Sequence, residues 1–173
     1  MDGAPAGTLG DQGITPDELR LAARNHGLPL EALREPITPA GLHYLLIHYD
    51  IPAVDPATFE LEMAGAVERP LTLTLDDLRA RERVDRPITF ECAGNGRALL
   101  EPRPVSQPWL TEAVGTAEWG GTRLAPLLED AGVKQSAVEL LFSALDRGIE
   151  GGDAQSYERA LPIAEARDAL LAY

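Results

Sequence analysis

Pro87-Ile88-Thr89-Phe90-Glu91-Cys92-Ala93-Gly94-Asn95-Gly96-Arg97 joins a short strand pattern to an abrupt run of small residues. The β-branched and aromatic residues before Cys92 favour an extended chain, and Ala93-Gly94-Asn95-Gly96 ends it. The only cysteine of the chain is therefore expected at the end of a strand. Small residues beside it let backbone N–H groups or a bulky ligand come close to the sulfur. A soft thiolate suits a soft or redox-active metal. Taken on spacing alone, the same cysteine reads as a small buried hydrophobe.

Outward from this loop, short strands and short helices alternate irregularly. Phe59-Glu60-Leu61-Glu62-Met63 alternates apolar and acidic residues, as a strand with one wet face does, and Leu71-Thr72-Leu73 is its expected partner. Thr74 caps a helix expected from Leu75 to about Arg83, with Asp76 and Asp77 in its first turn. Leu124 to Asp130 reads as a helix that stops at Gly132, and Val138 to Phe142 as a buried-type strand. Asp146 to Asp153 reads as a charged, Gly-rich loop, Ala164 to Arg167 as a short helix and Leu170 to Tyr173 as the start of a strand.

Upstream, residues 1–13 read as a tail. Thr15-Pro16-Asp17-Glu18 opens a capped helix expected to reach about Asn25 and stop at Gly27, followed by a Pro-punctuated connection from Leu28 to Pro39. The pattern suggests an α+β fold, not a doubly wound one. The boundaries are residues 1–36 for the tail and helix, and residues 37–173 for the domain.

A chain of 173 residues can bury a real core, and 45% hydrophobic with 25% charged residues is ordinary for a globular protein. No apolar run approaches the roughly 18 residues of a membrane span. The net charge of −13 argues against binding nucleic acid or an anionic membrane, while leaving a local arginine cluster free to attract an anion. One cysteine excludes an internal disulfide, and the N-terminus has neither the basic start nor the apolar core of a secretory signal, so the expected address is cytoplasmic.

Among the histidines, His26, His43 and His48, none has metalloprotease spacing, and backbone-bonded, partly buried rings are the plain expectation. A thiol hydrolase dyad of Cys92 with a histidine lacks any flanking signature. Trp109 and Trp119 read as core and turn anchors, and Arg97, Arg103 and Arg123 as candidate phosphate forks.

Together, ordered strings give a more specific reading. Phe90 to Arg97 resembles the cysteine loop of the sulfite oxidase family, usually close to QCAGNRR. Ile37-Thr38-Pro39 through His48 to Pro52 resembles the family's ITP…RNHxPxP segment, and Ala117 to Gly121 its ARWGG string. Tyr157 to Ile163 and Leu170 to Tyr173 resemble YGASIP and LLAYEMNG. The resemblance implies a mixed-sheet molybdopterin-binding domain carrying one molybdenum–molybdopterin cofactor, whose dithiolene sulfurs and one protein cysteine bind the metal.

On matching positions, Cys92 would be the metal ligand. His48 and Asp146 would contact the pterin, Arg97 would lie near the cofactor phosphate, and the Tyr157 hydroxyl would face an oxygen on the metal. The implied activity is oxygen-atom transfer on a small sulfur-containing substrate. No haem-attachment or Rossmann string is present, so electrons would pass to an external acceptor.

Two departures stand out. Leu46 and Ile47 replace the arginine and asparagine of RNH, removing an anion contact of sulfite-oxidising members, and Gly96 replaces one arginine of the cysteine loop. Arg24-Asn25-His26 has the letters of the missing string but lies upstream of the ITP segment. The family continues past LLAY through an HGFPxR segment to a β-sandwich that mediates homodimers, so the domain is expected to be incomplete at Tyr173. The alternatives are a methionine sulfoxide reductase-like subunit with a membrane haem partner, and a truncated, non-catalytic remnant of the fold.

Overall fold

The computed structural model describes residues 24–173. The tail and most of the expected Thr15–Asn25 helix lie outside the described residues. The chain divides into two compact units: residues 24–47 with 87–118, and residues 48–86 with 119–173.

The second unit is built from the patterns that were easiest to read. Strand β1 (Glu60–Met63) pairs antiparallel with β2 (Leu71–Thr74), and the register sets Leu61 against Leu73 and Met63 against Leu71. Alternation therefore puts apolar side chains opposite each other on one face. Met63 and Leu73 reach the core, while Glu60 and Glu62 stay exposed.

Helix α1 (Leu75–Arg79) begins at Thr74 as expected. The Thr74 hydroxyl accepts from the Asp77 N–H at 3.2 Å, and the Asp77 carboxylate accepts from the Thr74 N–H at 2.9 Å. Asp77 thus completes a capping box in the place usually taken by Glu or Gln. The helix ends four residues sooner than expected, because Arg83 already starts β3 (Arg83–Glu91). Alternating Val84, Arg86 and Ile88 are half-buried along β3, a period-2 pattern that continuing the helix would break.

Removing the cap should be measurable. Thr74→Ala is expected to cost about 1 kcal/mol in chemical denaturation. The hydrogen bonds from Thr74 hold the Asp77 carboxyl below its ordinary value of 3.8. A depressed carboxyl contributes stability above its unfolded-state value and loses it as pH falls through the folded-state value. The gap between parent and Thr74→Ala should accordingly narrow below about pH 4; a constant gap would contradict this.

Helix α2 (Leu124–Ala131) buries Leu124, Leu127, Leu128 and Ala131, the i, i+3, i+4, i+7 stripe of an amphipathic helix. Gly132, at φ 67°, closes it in a left-handed conformation, its N–H directed to the Leu128 and Glu129 carbonyls. This stripe packs with Met63, Leu73, Leu78 and Ala166 as the core of the unit. Short helix α3 (Ile163–Ala166) supplies Ala166.

Three regions differ from expectation. Trp119-Gly120-Gly121 is not a turn but lies within β4 (Val114–Arg123), the middle strand of the order β3-β4-β7, with β7 at Leu170–Ala172. Glycine in a strand usually marks a close approach. A side chain at Gly121 would run into the Leu171 carbonyl, because β7 pairs here with Gly121 opposite Ala172.

The expected Asp146–Asp153 loop is instead a long hairpin. Strand β5 (Glu139–Glu150) pairs antiparallel with β6 (Asp153–Pro162), and Glu150 faces Asp153 across Gly151-Gly152. Both glycines have positive φ, 63° and 96°, as a two-residue hairpin turn requires.

Finally, the apolar run Val138–Phe142 is not buried throughout. Val138 is 78% and Leu141 59% exposed, whereas Leu140 and Phe142 pack on the core. A two-stranded hairpin covers one face only, and alternation then decides which residues go in.

In the first unit, Trp109 (2% exposed), Leu28 and Ala113 are buried. Buried Asn25 and Thr38 are hydrogen-bonded, with Asn25 Nδ2 donating to Gln107 Oε1 at 3.4 Å. Asn25 Oδ1 accepts from Ile47 N–H at 2.6 Å, and Thr38 exchanges two bonds with the Thr116 backbone at 2.8 and 2.9 Å. These bonds, with a 3-10 helix at Leu30–Arg34 and a bridge between His26 and Leu45, hold the chain leading to Ile47 in place. Among the described residues, no helix is long and apolar enough to cross a membrane.

Candidate active site

The cysteine loop of the first unit is tightly specified. Where β3 ends, Cys92 N–H donates to the Ala113 carbonyl at 2.9 Å, and Asn95 N–H donates back to the Cys92 carbonyl at 2.8 Å. The Asn95 side chain accepts from Ala113 N–H at 3.2 Å and donates to Glu91 at 2.9 Å. Gly96 then turns the chain at φ 83° into a 3-10 turn, Arg97–Leu99.

Within this frame Cys92 is half-buried, and the Gly94 N–H is aimed at its sulfur at 3.4 Å. The sulfur is thus an acceptor in a loop with small neighbours, not a hydrophobe sealed in a core. Arg97 folds back over the α-carbon of Gly94, where any side chain would collide with its guanidinium. Arg97 also donates to the Ser106 hydroxyl at 2.8 Å. The smallness of residue 94 therefore positions an arginine on the cysteine loop.

Tyr44 was not singled out by sequence. Its ring stacks on His43 at 5.0 Å and meets Trp109 edge-on at 6.4 Å. Burial, and then electrostatic interaction with Cys92 and Glu91, push its phenol above the ordinary tyrosine value. Tyr44 is accordingly a neutral donor near the thiol. His43 is half-buried with Nδ1 2.9 Å from the Tyr44 carbonyl, the backbone-bonded role expected of it, and its Nε2 is buried with no hydrogen-bond partner among the described residues.

The second unit gathers the other expected site residues around Tyr157 on β6. His48 stacks on the Tyr157 ring with centroids 5.3 Å apart and 22° between planes, and Tyr49 meets it edge-on at 6.1 Å. The segment after His48 is tied to β5 by Asp50, which exchanges bonds with the Arg147 backbone at 3.0 and 2.6 Å. Gly148 leaves room for the Tyr49 ring, which a side chain at that position would strike.

Asp146 is half-buried in an irregularity of the β5–β6 ladder. Pairing runs from Ser143 opposite Glu158 to Arg147 opposite Ser156, so Ala144, Leu145 and Asp146 together stand against Tyr157 alone. Such bulges re-aim side chains. Arg159, also missed in the sequence, lies over the Tyr157 ring with Cζ 4.3 Å from the centroid. Two residues apart on one strand, Tyr157 and Arg159 share a face, a signal available once β6 is recognised as a strand.

Cys92 and Arg97 therefore belong to one unit, and His48, Asp146 and Tyr157 to the other. Among the described residues, no group of three or more His, Cys, Asp or Glu side chains could hold a metal by itself.

The chain is 37% identical over 155 residues to sulfite oxidase of Gallus gallus, covering 84% of this chain and 33% of that protein. It is 35% identical over 155 residues to mitochondrial sulfite oxidase of Homo sapiens, covering 84% and 28%. It is 34% identical over 147 residues to nitrate reductase [NADH] 1 of Oryza sativa subsp. japonica, covering 79% and 16%. The chain thus spans a third or less of the length of these relatives.

In fold it matches the sulfane dehydrogenase SoxCD from Paracoccus pantotrophus, with a TM-score of 0.67 at 23% identity, covering 99% of this chain and 46% of that one. That likeness supports the α+β architecture. Residues 48–173 match the oxidoreductase molybdopterin binding domain. That span takes in β1 through β7, His48, Cys92, Asp146 and Tyr157, and the chain belongs to the oxidoreductase molybdopterin binding domain family.

Proposed function

We propose that this chain is the cofactor-holding part of a molybdenum–molybdopterin oxidoreductase, with residues 37–173 as its cofactor-binding domain and Cys92 as the protein ligand to the metal. The observation that carries the reading is Cys92 itself: half-buried, at a strand end, its sulfur accepting a backbone N–H. A soft donor with no metal-holding cluster beside it among the described residues suits a metal that arrives with sulfur ligands of its own. The residues present fit such a group.

The cofactor would supply oxygen-atom transfer with a two-electron change, and the protein would supply ligation, orientation and electrostatics. Arg97, steadied by Ser106, would offer its guanidinium fork to the cofactor phosphate. His48 and Asp146 would offer hydrogen-bond partners to the pterin. Tyr157, clamped between the His48 stack and the Tyr49 edge, would hold its hydroxyl in one direction and both donate and accept a hydrogen bond there.

The proposed substrate is a small sulfur-containing molecule, and the electron acceptor is a separate partner. Two of the named relatives are sulfite oxidases and a third is a nitrate reductase. Turnover should therefore be compared with sulfite, nitrate and methionine sulfoxide on protein made in a host that synthesises the cofactor. Highest kcat/KM with sulfite supports the reading, and preference for nitrate overturns the sulfur assignment.

Tyr157→Phe is expected to keep its molybdenum while kcat falls about a hundredfold, the scale on which a positioned proton donor contributes. Unchanged kcat would remove Tyr157 from the chemistry.

A further inference from the structure

We propose that Arg159 is the anion-recognising residue of this chain, receiving a small sulfur oxyanion beside the Tyr157 hydroxyl; this rests on the molybdenum oxidoreductase reading above.

The chain is strongly acidic, and four of its arginines are paired with carboxylates. Arg81 pairs with Asp130 at 2.8 Å, Arg83 with Asp85 at 2.7 Å, Arg79 with Asp76 at 3.6 Å and Arg167 with Glu129 at 3.7 Å. Arg159 has no carboxylate partner among the described residues. What holds it is the Tyr157 ring, 4.3 Å from Cζ, with Nη1 donating to the Glu158 carbonyl at 2.6 Å.

A guanidinium has five N–H donors, so this arrangement commits one and leaves the planar fork open to solvent, where Arg159 is exposed. A cation steadied by an aromatic face without a counter-charge keeps its positive potential for a ligand. The fork geometry suits two oxygens carried on one centre.

The neighbours fit the same use. Tyr157 is itself fixed by His48 and Tyr49, so guanidinium and phenol form a rigid pair on one face of β6. The sequence departs from the family strings at both relevant places: position 46 is leucine, and Arg159 stands where YGASIP has alanine.

The test is a sulfate titration of the cofactor-loaded protein at constant ionic strength, with chloride as control, followed through the His48 and Tyr157 NMR signals. Molybdenum content is measured on the same samples. The parent should bind sulfate saturably. Arg159→Ala should bind about tenfold more weakly with unchanged molybdenum, and Arg159→Lys should recover part of the loss, since an ammonium keeps the charge without the fork.

Equal sulfate affinity in parent and Arg159→Ala, or no binding by the parent, overturns the proposal. So does loss of molybdenum in Arg159→Ala with sulfate affinity intact, which would assign the guanidinium to the cofactor phosphate. If the parent carries no molybdenum, the reading under Proposed function fails, while the sulfate titration still decides the role of Arg159.

Discussion

Cys92→Ser protein, made beside the parent in a cofactor-competent host, is expected to retain less than about a tenth of the parent's molybdenum. The substitution removes one soft donor and substitutes a hydroxyl, a harder atom that gives up its proton far less readily. The local frame should survive. The bonds that shape the loop run through the Cys92 backbone and the Asn95 side chain, and serine keeps the size and the acceptor role toward Gly94. An unchanged thermal midpoint of the metal-free proteins would show that metal loss is not unfolding. Equal molybdenum in both proteins would remove Cys92 from the metal site.

The second large effect concerns the fold. Leu127 is fully buried at the centre of the α2 stripe, among Leu124, Leu128, Met63, Leu73 and Leu78. Leu127→Ala leaves a cavity that neighbours from two strands and two helices cannot all close, at an expected cost of about 3 kcal/mol. In a chain of this size each kcal/mol lowers the thermal midpoint by about 2–4 °C. Leu141, 59% exposed on the outer face of β5, is the matched comparison, and Leu141→Ala should stay within about 0.5 kcal/mol of the parent. Similar losses for both would mean that the outer face of β5 is covered and that the assigned core is wrong.

How much of this was legible in the sequence follows from where the information sits. Alternation in Phe59–Met63, the cap at Thr74 and the stripe closed by Gly132 are local, so β1, β2, the start of α1 and all of α2 could be read directly. What failed depended on partners distant in sequence. The glycines of β4 look like a turn until β7 is laid against Gly121. Residues 146–153 look like a loop until β6 is placed opposite, after which Gly151-Gly152 is an ordinary two-residue turn.

The site divides in the same way. The small residues after Cys92 allow close approach to the sulfur, although spacing alone reads it as a buried hydrophobe; the structure has it half-buried, with the Gly94 N–H aimed at the sulfur. Roles for His48, Asp146, Arg97 and Tyr157 came from resemblance to family strings, since nothing local distinguishes these side chains. That His48 stacks on Tyr157, and that Asp146 lies in a bulge against it, depends on the hairpin register and on the Asp50–Arg147 tie. Arg159 was invisible for a further reason: an arginine two residues from a tyrosine means little until both are known to share one face of a strand.

X-ray absorption at the molybdenum edge of the isolated protein tests the central claim most directly, by counting sulfur atoms at bonding distance from the metal. With Cys92 bound beside a single dithiolene, the parent should show three such sulfurs and Cys92→Ser, in whatever fraction still holds metal, two. Two sulfurs in both proteins would contradict the account.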